Sequence, residues 1–228
     1  MSTTDRVLIV SAFAPELAPL KLWLAGRAAW KFRTKIHALP VGIGAIDAAT
    51  GAAMAITRTA PRAVLFIGTA GSYGPRPAIG DVAIAARIRL VSTAAVRGQG
   101  YLPKPMPAIE ASSTTLRREL LLSAGLSGEG VDVAAPLGIT TAVRLAALIA
   151  KTTHTAVENL EVFGVARAAT RARVPFGAIL GITNRVGPKA HAEWMEHQAT
   201  AAASACAVAA AWIEDRFARG TGARHPRG

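Results

Sequence analysis

Residues 174–182, VPFGAILGI, form an almost unbroken apolar run that stops at Thr183, Asn184 and Arg185. A short run of this kind, interrupted only by Pro175 and two glycines, reads as a strand covered on both faces. Strands of that sort belong to parallel α/β sheets, whose ligands lie outside the carboxyl ends of the strands. Asn184 stands at such an end. A Thr-Asn pair is also an ordinary way to begin a loop, so position alone does not assign it a role.

The rest of the chain repeats the pattern. Residues 7–12 read as a first strand, and Pro15 and Glu16 lead into a helix over 17–27. Proline and an acid both suit a first helical turn, so Glu16 gains interest only from its place just past a strand. A strand over 36–41, the turn Gly42-Ile43-Gly44 and a helix over 45–59 follow. A dinucleotide fingerprint needs a third glycine where this chain has Asp47, which excludes that reading. Residues 63–67 make a third strand, ending in Gly68-Thr69-Ala70-Gly71-Ser72, where glycines admit a ligand close to the backbone. Strand material is expected at 81–85 and 88–92, and an irregular, proline-broken loop at 99–107. Helices are expected at 113–123, 141–151, 161–172 and 190–219, with strands at 131–135 and 155–157. Glu158-Asn159-Leu160-Glu161 fills the last strand-to-helix junction. Two carboxylates and an amide there exceed what capping needs.

Composition narrows the function classes. A chain of 228 residues, 51% hydrophobic, has room for one domain with a real core. The formal net charge of +12 invites a nucleic-acid reading. Yet the charges are scattered, aromatics are few, and the clear basic cluster is the tail over 216–227. Cys206 is the sole cysteine, so no disulfide forms within the chain, and a reducing compartment, the cytoplasm, is expected. The longest apolar stretch, 199–213, is too short and too broken to span a membrane. His191 and His197 are six residues apart, which does not match the four-residue spacing of a helical zinc pair. Glu193 and His197 read as a surface pair. No metal and no cofactor are expected.

Glycine-lined backbone, isolated carboxylates and an amide at strand ends suit a neutral polyhydroxyl ligand. The segments VLIVSAFAPEL, VGIGAIDAA, GTAGSYGPRPAIGD, AVENLEVFGVA and VPFGAILGITNRVG occur in that order. With them the chain resembles the nucleoside phosphorylase and nucleosidase superfamily from about residue 7 to about residue 208. Within it the chain is most similar to futalosine hydrolases of the alternative menaquinone pathway. The resemblance rests there on Asn184–Pro188, on the Glu-Asn-Leu-Glu segment and on the Gly100–Pro103 loop.

The resemblance implies a single α/β domain over residues 1–228, a three-layer αβα sandwich on a mixed, mostly parallel sheet. Residues 220–228 are left as a flexible basic tail, and a homodimer or higher homo-oligomer is implied. It also implies roles. Glu16 matches the acid that activates water, Glu161 the acid that holds the ribose hydroxyls, and Thr69 the residue on the ribose and water side. Ala70, Gly71, Asn159 and Leu160 fall beside them as substrate contacts. Gly138 and Ile139 fall where the base is sandwiched. Asn184 stands where adenine-specific nucleosidases carry an Asp. An amide offers one donor and one acceptor, matching O6 and N7–H of a departing 6-oxopurine. The expected reaction is hydrolysis of an N-glycosidic bond, with hypoxanthine leaving from futalosine. Alternatives are a purine nucleoside phosphorylase, a methylthioadenosine-type nucleosidase and, outside enzymes, a basic nucleic-acid-binding protein. An aromatic carboxylate on the substrate's 5′ side would call for a basic partner, with Arg97, Lys104 and Arg185 as candidates.

Overall fold

The computed structural model describes residues 6–26, 29–32 and 34–219. The expected tail at 220–228 lies outside them. The runs expected as strands become strands, those at 81–85 and 88–92 as one, and β5 is added: β1 (Val7–Ser11), β2 (Ile36–Pro40), β3 (Ala63–Ser72), β4 (Val82–Val91), β5 (Ile109–Ala111), β6 (Val131–Pro136), β7 (Val157–Glu158) and β8 (Phe176–Arg185). The helices are α1 (Ala14–Ala25), α2 (Ala45–Thr59), α3 (Thr93–Val96), α4 (Thr114–Ser123), α5 (Val143–Thr153), α6 (Val162–Arg171) and α7 (Ala190–Arg219), with a 3₁₀ turn at Trp30–Phe32.

The sheet runs β2-β1-β3-β7-β6-β4-β5, and β8 pairs with both β3 and β4. Among the described residues five strand pairings are parallel and three antiparallel, so the sheet is mixed. The expected α/β domain with a mixed sheet is present, but the sheet is more closed than a three-layer sandwich implies. β8 bridges β3 and β4, which closes β3, β7, β6, β4 and β8 into a barrel-like ring. The physical reason is length. β3 and β4 each run ten residues, and β8 runs beside β3 in parallel and against β4 antiparallel. Each long strand can therefore serve two neighbours.

Helices cover both faces of the β1-β3-β8 region. Leu8, Val10, Val64, Phe66, Ala178 and Leu180 point one way and pack with α2 and α6. Val7, Ile9, Leu65, Ile67 and Ile179 alternate to the other face and pack with α1, α4 and α7. This period-two alternation is what a strand buried on both sides requires. α7 lies very close to β8, because a Cβ on Gly181 would stand 2.2 Å from the Ala201 carbonyl oxygen. The alanines of this helix are the surface that permits the approach. Trp212 anchors its far end, buried, with its indole N–H donating to Glu119 on α4 at 2.8 Å. Cys206, among the alanines of α7, is buried, and burial pushes its thiol up to about 11.

Candidate active site

The ends of β1, β2, β3, β6, β7 and β8 meet around one cavity of about 300 Å³. Glu16, Thr69, Ala70, Gly71, Ile139, Asn159, Leu160, Glu161 and Asn184, all read from sequence, line it. Gly138 does not. It sits in the exposed loop after β6 with open space where a side chain would go, and the next two residues, Ile139 and Thr140, reach the cavity instead. Phe13, Ile43, Val186, His191 and Trp194 are lining residues that the sequence reading did not pick out, and Glu158, noted there at its junction but given no role, lines the cavity too.

Glu16 enters from the first turn of α1, placed by Pro15 and by the end of β1. It is only 4% exposed. Its Oε1 accepts from the Thr69 backbone N–H at 2.9 Å and the Thr69 hydroxyl at 3.1 Å, and its Oε2 accepts from the Ala12 N–H at 3.2 Å. The Trp194 indole N–H, 3.2 Å from Thr69 Oγ1, can only donate. The Thr69 hydroxyl therefore accepts from Trp194 and turns its own proton toward Glu16. Burial pushes the Glu16 carboxyl from 4.5 up to about 7, and the Glu161 carboxylate adds to the rise, while the bonds from Thr69 and Ala12 oppose it. A carboxyl near 7 facing a cavity is suited to exchanging a proton with a ligand or water at neutral pH.

Glu161 sits at the start of α6, buried, and Oε1 accepts from the Gly44 N–H at 2.9 Å. Burial raises its carboxyl above the usual range, opposed by the backbone bonds from Gly44 and from its own N–H and by Asn159. Asn159 is the brace of this corner. Its Oδ1 accepts from the N–H groups of Glu161 and Val162 at 3.0 and 2.8 Å, capping α6. Its Nδ2 donates to the Thr69 carbonyl at 2.9 Å. One amide thus ties the helix carrying Glu161 to the strand carrying Thr69.

Asn184 is aimed by a bulge. Ala70 pairs with Ile182 and Gly71 with Asn184, so Thr183 is the extra residue on β8. The approach to β3 is close: a Cβ on Gly71 would stand 2.8 Å from Asn184 Nδ2. Asn184 Nδ2 donates to the Arg185 carbonyl at 3.0 Å, and the Thr183 hydroxyl donates to Oδ1 at 2.8 Å. A carbonyl only accepts, which fixes the amide's orientation. One N–H and one lone pair of Asn184 remain for a ligand.

The basic candidates lie elsewhere. Arg185 donates to Ser72 Oγ and to the Pro75 carbonyl, both at 3.1 Å, and neither Arg97 nor Lys104 lines the cavity. Among the described residues lining it, the basic one is His191, stacked on Trp194 with centroids 6.1 Å apart. The expected Glu193–His197 pair is replaced by a different contact. Glu193 Oε2 accepts from the Arg185 backbone N–H at 2.7 Å, a bond that clamps the start of α7 to the end of β8. No group of three or more His, Cys, Asp or Glu among the described residues could hold a metal ion, and no described helix is long and apolar enough to cross a membrane.

Comparisons with known proteins agree with this arrangement. The model of the phosphorylase superfamily matches residues 30–214. The chain is 30% identical over 192 residues to futalosine hydrolase of Streptomyces coelicolor, covering 73% of this chain and 77% of that one. It is 26% identical over 201 residues to futalosine hydrolase of Thermus thermophilus, covering 83% and 84%. In fold it is similar to a futalosine hydrolase mutant of Helicobacter pylori, with a TM-score of 0.83 at 16% identity over 93% of this chain and all of that one. It is also similar to the methylthioadenosine/adenosylhomocysteine nucleosidase of Neisseria meningitidis, with a TM-score of 0.78 at 22% identity over 92% and 99%. With its family model spanning most of the sheet and every strand end around the cavity except that of β1, this chain belongs to the phosphorylase superfamily.

Proposed function

We propose that the protein is a nucleosidase that hydrolyses the N-glycosidic bond of a 6-oxopurine nucleoside, futalosine, releasing hypoxanthine. The observation that carries the reading is Glu16, a buried carboxyl held near neutrality beside Thr69 and Glu161 in the cavity. Water placed against Glu16 gives up a proton to the carboxylate while its oxygen bonds to the anomeric carbon. The carbon–nitrogen bond breaks and its electron pair leaves with the base; N7 takes a proton from a solvent water, and the proton held by Glu16 returns to solvent. Glu161, still ionisable and facing the same cavity, accepts from the ribose hydroxyls. Asn184 takes the base, donating with its free N–H to O6 and accepting N7–H at Oδ1. A donor–acceptor pair set this way repels a 6-amino group, and mismatched polar partners in a closed site discriminate by ~10⁴.

Hydrolysis is favoured over phosphorolysis by charge. The described lining holds Glu16, Glu158 and Glu161 but neither Lys nor Arg, and such a wall repels phosphate. Phe13, Trp194 and His191 form one aromatic end of the cavity, with Phe13 and Trp194 centroids 6.2 Å apart. That end fits an aromatic 5′ substituent, and His191 is placed to meet its carboxylate. The chemistry needs no cofactor, a homodimer or higher homo-oligomer is the assembly the family resemblance implies, and the reaction belongs in the cytoplasm. The test is base release from futalosine, inosine and methylthioadenosine, each with and without phosphate. Phosphate-independent hypoxanthine from futalosine, with methylthioadenosine untouched, is the expected result. Phosphate-dependent cleavage of inosine would make the enzyme a phosphorylase, and adenine from methylthioadenosine would remove the role given to Asn184.

A further inference from the structure

Glu158 touches neither the water, the ribose nor the base in the scheme above, yet it is a buried carboxylate on the cavity wall, 7% exposed. The sheet register places it. Gly71 pairs with Glu158 on β7 on one side and with Asn184 on β8 on the other. Directly paired residues point to the same face, so Glu158 and Asn184 flank a glycine in one row. At two strand spacings their backbones are about 10 Å apart, and Gly71 puts no side chain between them. That gap suits the edge of a planar base.

The protein fixes Glu158 as an acceptor. Tyr73 Oη donates to Oε2 at 2.5 Å, and the Thr140 N–H donates to Oε1 at 2.9 Å. Burial, and then the charge on Glu158, hold the Tyr73 phenol above its usual value, so the phenol keeps its proton and donates. Two donors leave about half of the four lone-pair positions of a carboxylate for a ligand. No ion pair of Glu158 is formed among the described residues. A buried carboxylate held by two neutral donors gains from a third.

Resting on the 6-oxopurine reading above, we propose that Glu158 accepts the N1–H of the base beside Asn184 and so excludes 6-aminopurines. The order of groups along the purine agrees. N7 and O6 face Asn184, and N1 is the next position beyond O6. In a 6-oxopurine N1 carries a hydrogen. In a 6-aminopurine N1 is a bare lone pair, which a carboxylate repels. Asn184 and Glu158 then read three consecutive positions, two of which change sign between the two base classes.

The test is equilibrium binding of free bases by calorimetry, which does not depend on turnover. Wild-type protein is titrated with hypoxanthine, 1-methylhypoxanthine and adenine. Hypoxanthine is expected to bind about 10- to 100-fold more tightly than 1-methylhypoxanthine, the range for a hydrogen bond to a charged group. Glu158→Gln, which can donate to a bare N1, is expected to reduce the preference over adenine by about tenfold or more. Glu158→Asp, still acceptor-only, keeps the sign of the preference. Equal binding of hypoxanthine and 1-methylhypoxanthine by the wild type, with adenine still rejected, overturns the role of Glu158 alone. Tighter binding of adenine than of hypoxanthine overturns the 6-oxopurine reading itself. The methylated base needs no variant, so misfolding of Glu158→Gln does not blunt the result.

Discussion

Replacing Glu16 by Gln should separate stability from activity, because the carboxyl is held near 7 in the fold against 4.5 for an ordinary one. Between those values the native protein binds a proton that the unfolded chain has released. Stability supplied by the protonated form is present in full below pH 4.5 and is lost as pH rises through about 7. Gln stays neutral throughout and escapes the loss. Moving from pH 5 to pH 8, the variant should therefore gain about 2 to 3 kcal/mol on the wild type. A constant offset accompanies this, because a Gln amide nitrogen replacing Oε2 would oppose the Ala12 N–H, at a cost of about 1–3 kcal/mol at every pH. The pH-dependent difference is the clean quantity. Urea unfolding of both proteins at pH 5, 6, 7 and 8 measures it, with turnover followed in parallel and expected to fall ~10²–10⁴-fold. A stability difference that stays flat across that range would show that Glu16 titrates normally, and the argument for it as the base would lose its foundation.

Three further outcomes follow from the same geometry. Asn184→Asp should move base preference toward 6-aminopurines, because a protonated Asp donates to N7 while its other oxygen accepts from the amino group; competition between inosine and adenosine reads it. Gly71→Ala, whose Cβ would stand 2.8 Å from Asn184 Nδ2, should displace that amide and cut kcat/KM by about tenfold or more, at 1–3 kcal/mol of overpacking strain; activity and thermal melting separate the two effects. Trp194→Phe removes the donor that turns the Thr69 hydroxyl toward Glu16. Because that hydroxyl bond lowers the Glu16 value, the rising limb of the pH–rate profile should move upward from about 7. A downward move would contradict the assignment.

Much of this site was legible because strands and ligands share an end. The apolar runs located β1, β3 and β8, and their polar terminations located Glu16, Thr69 and Asn184. The strands proved longer than their apolar cores. β3 continues to Ser72 and β8 to Arg185 because each pairs with the other past the hydrophobic part, and pairing is not written in one strand's own pattern. The bulge at Thr183 and the closure of the sheet through β8 were hidden for the same reason. β5 has three residues on an edge, with Ile109 and Ala111 exposed, too short for a periodicity. Trp194 and His191 sit on α7, ten and seven positions beyond Asn184, and nothing local tells which turn of a helix folds back over a cavity. Glu158 looked like one acid among two at a junction. Only the register across Gly71 distinguishes its place from that of Glu161.

The most direct test of hydrolysis at this site is the fate of the attacking oxygen. Futalosine is cleaved in ¹⁸O-enriched water containing unlabelled phosphate, and the released sugar is analysed by mass spectrometry. Hydrolysis assisted by Glu16 predicts the label in the anomeric hydroxyl of the dehypoxanthinyl product, with no sugar phosphate formed. Appearance of an unlabelled sugar 1-phosphate would contradict it and identify phosphate as the nucleophile.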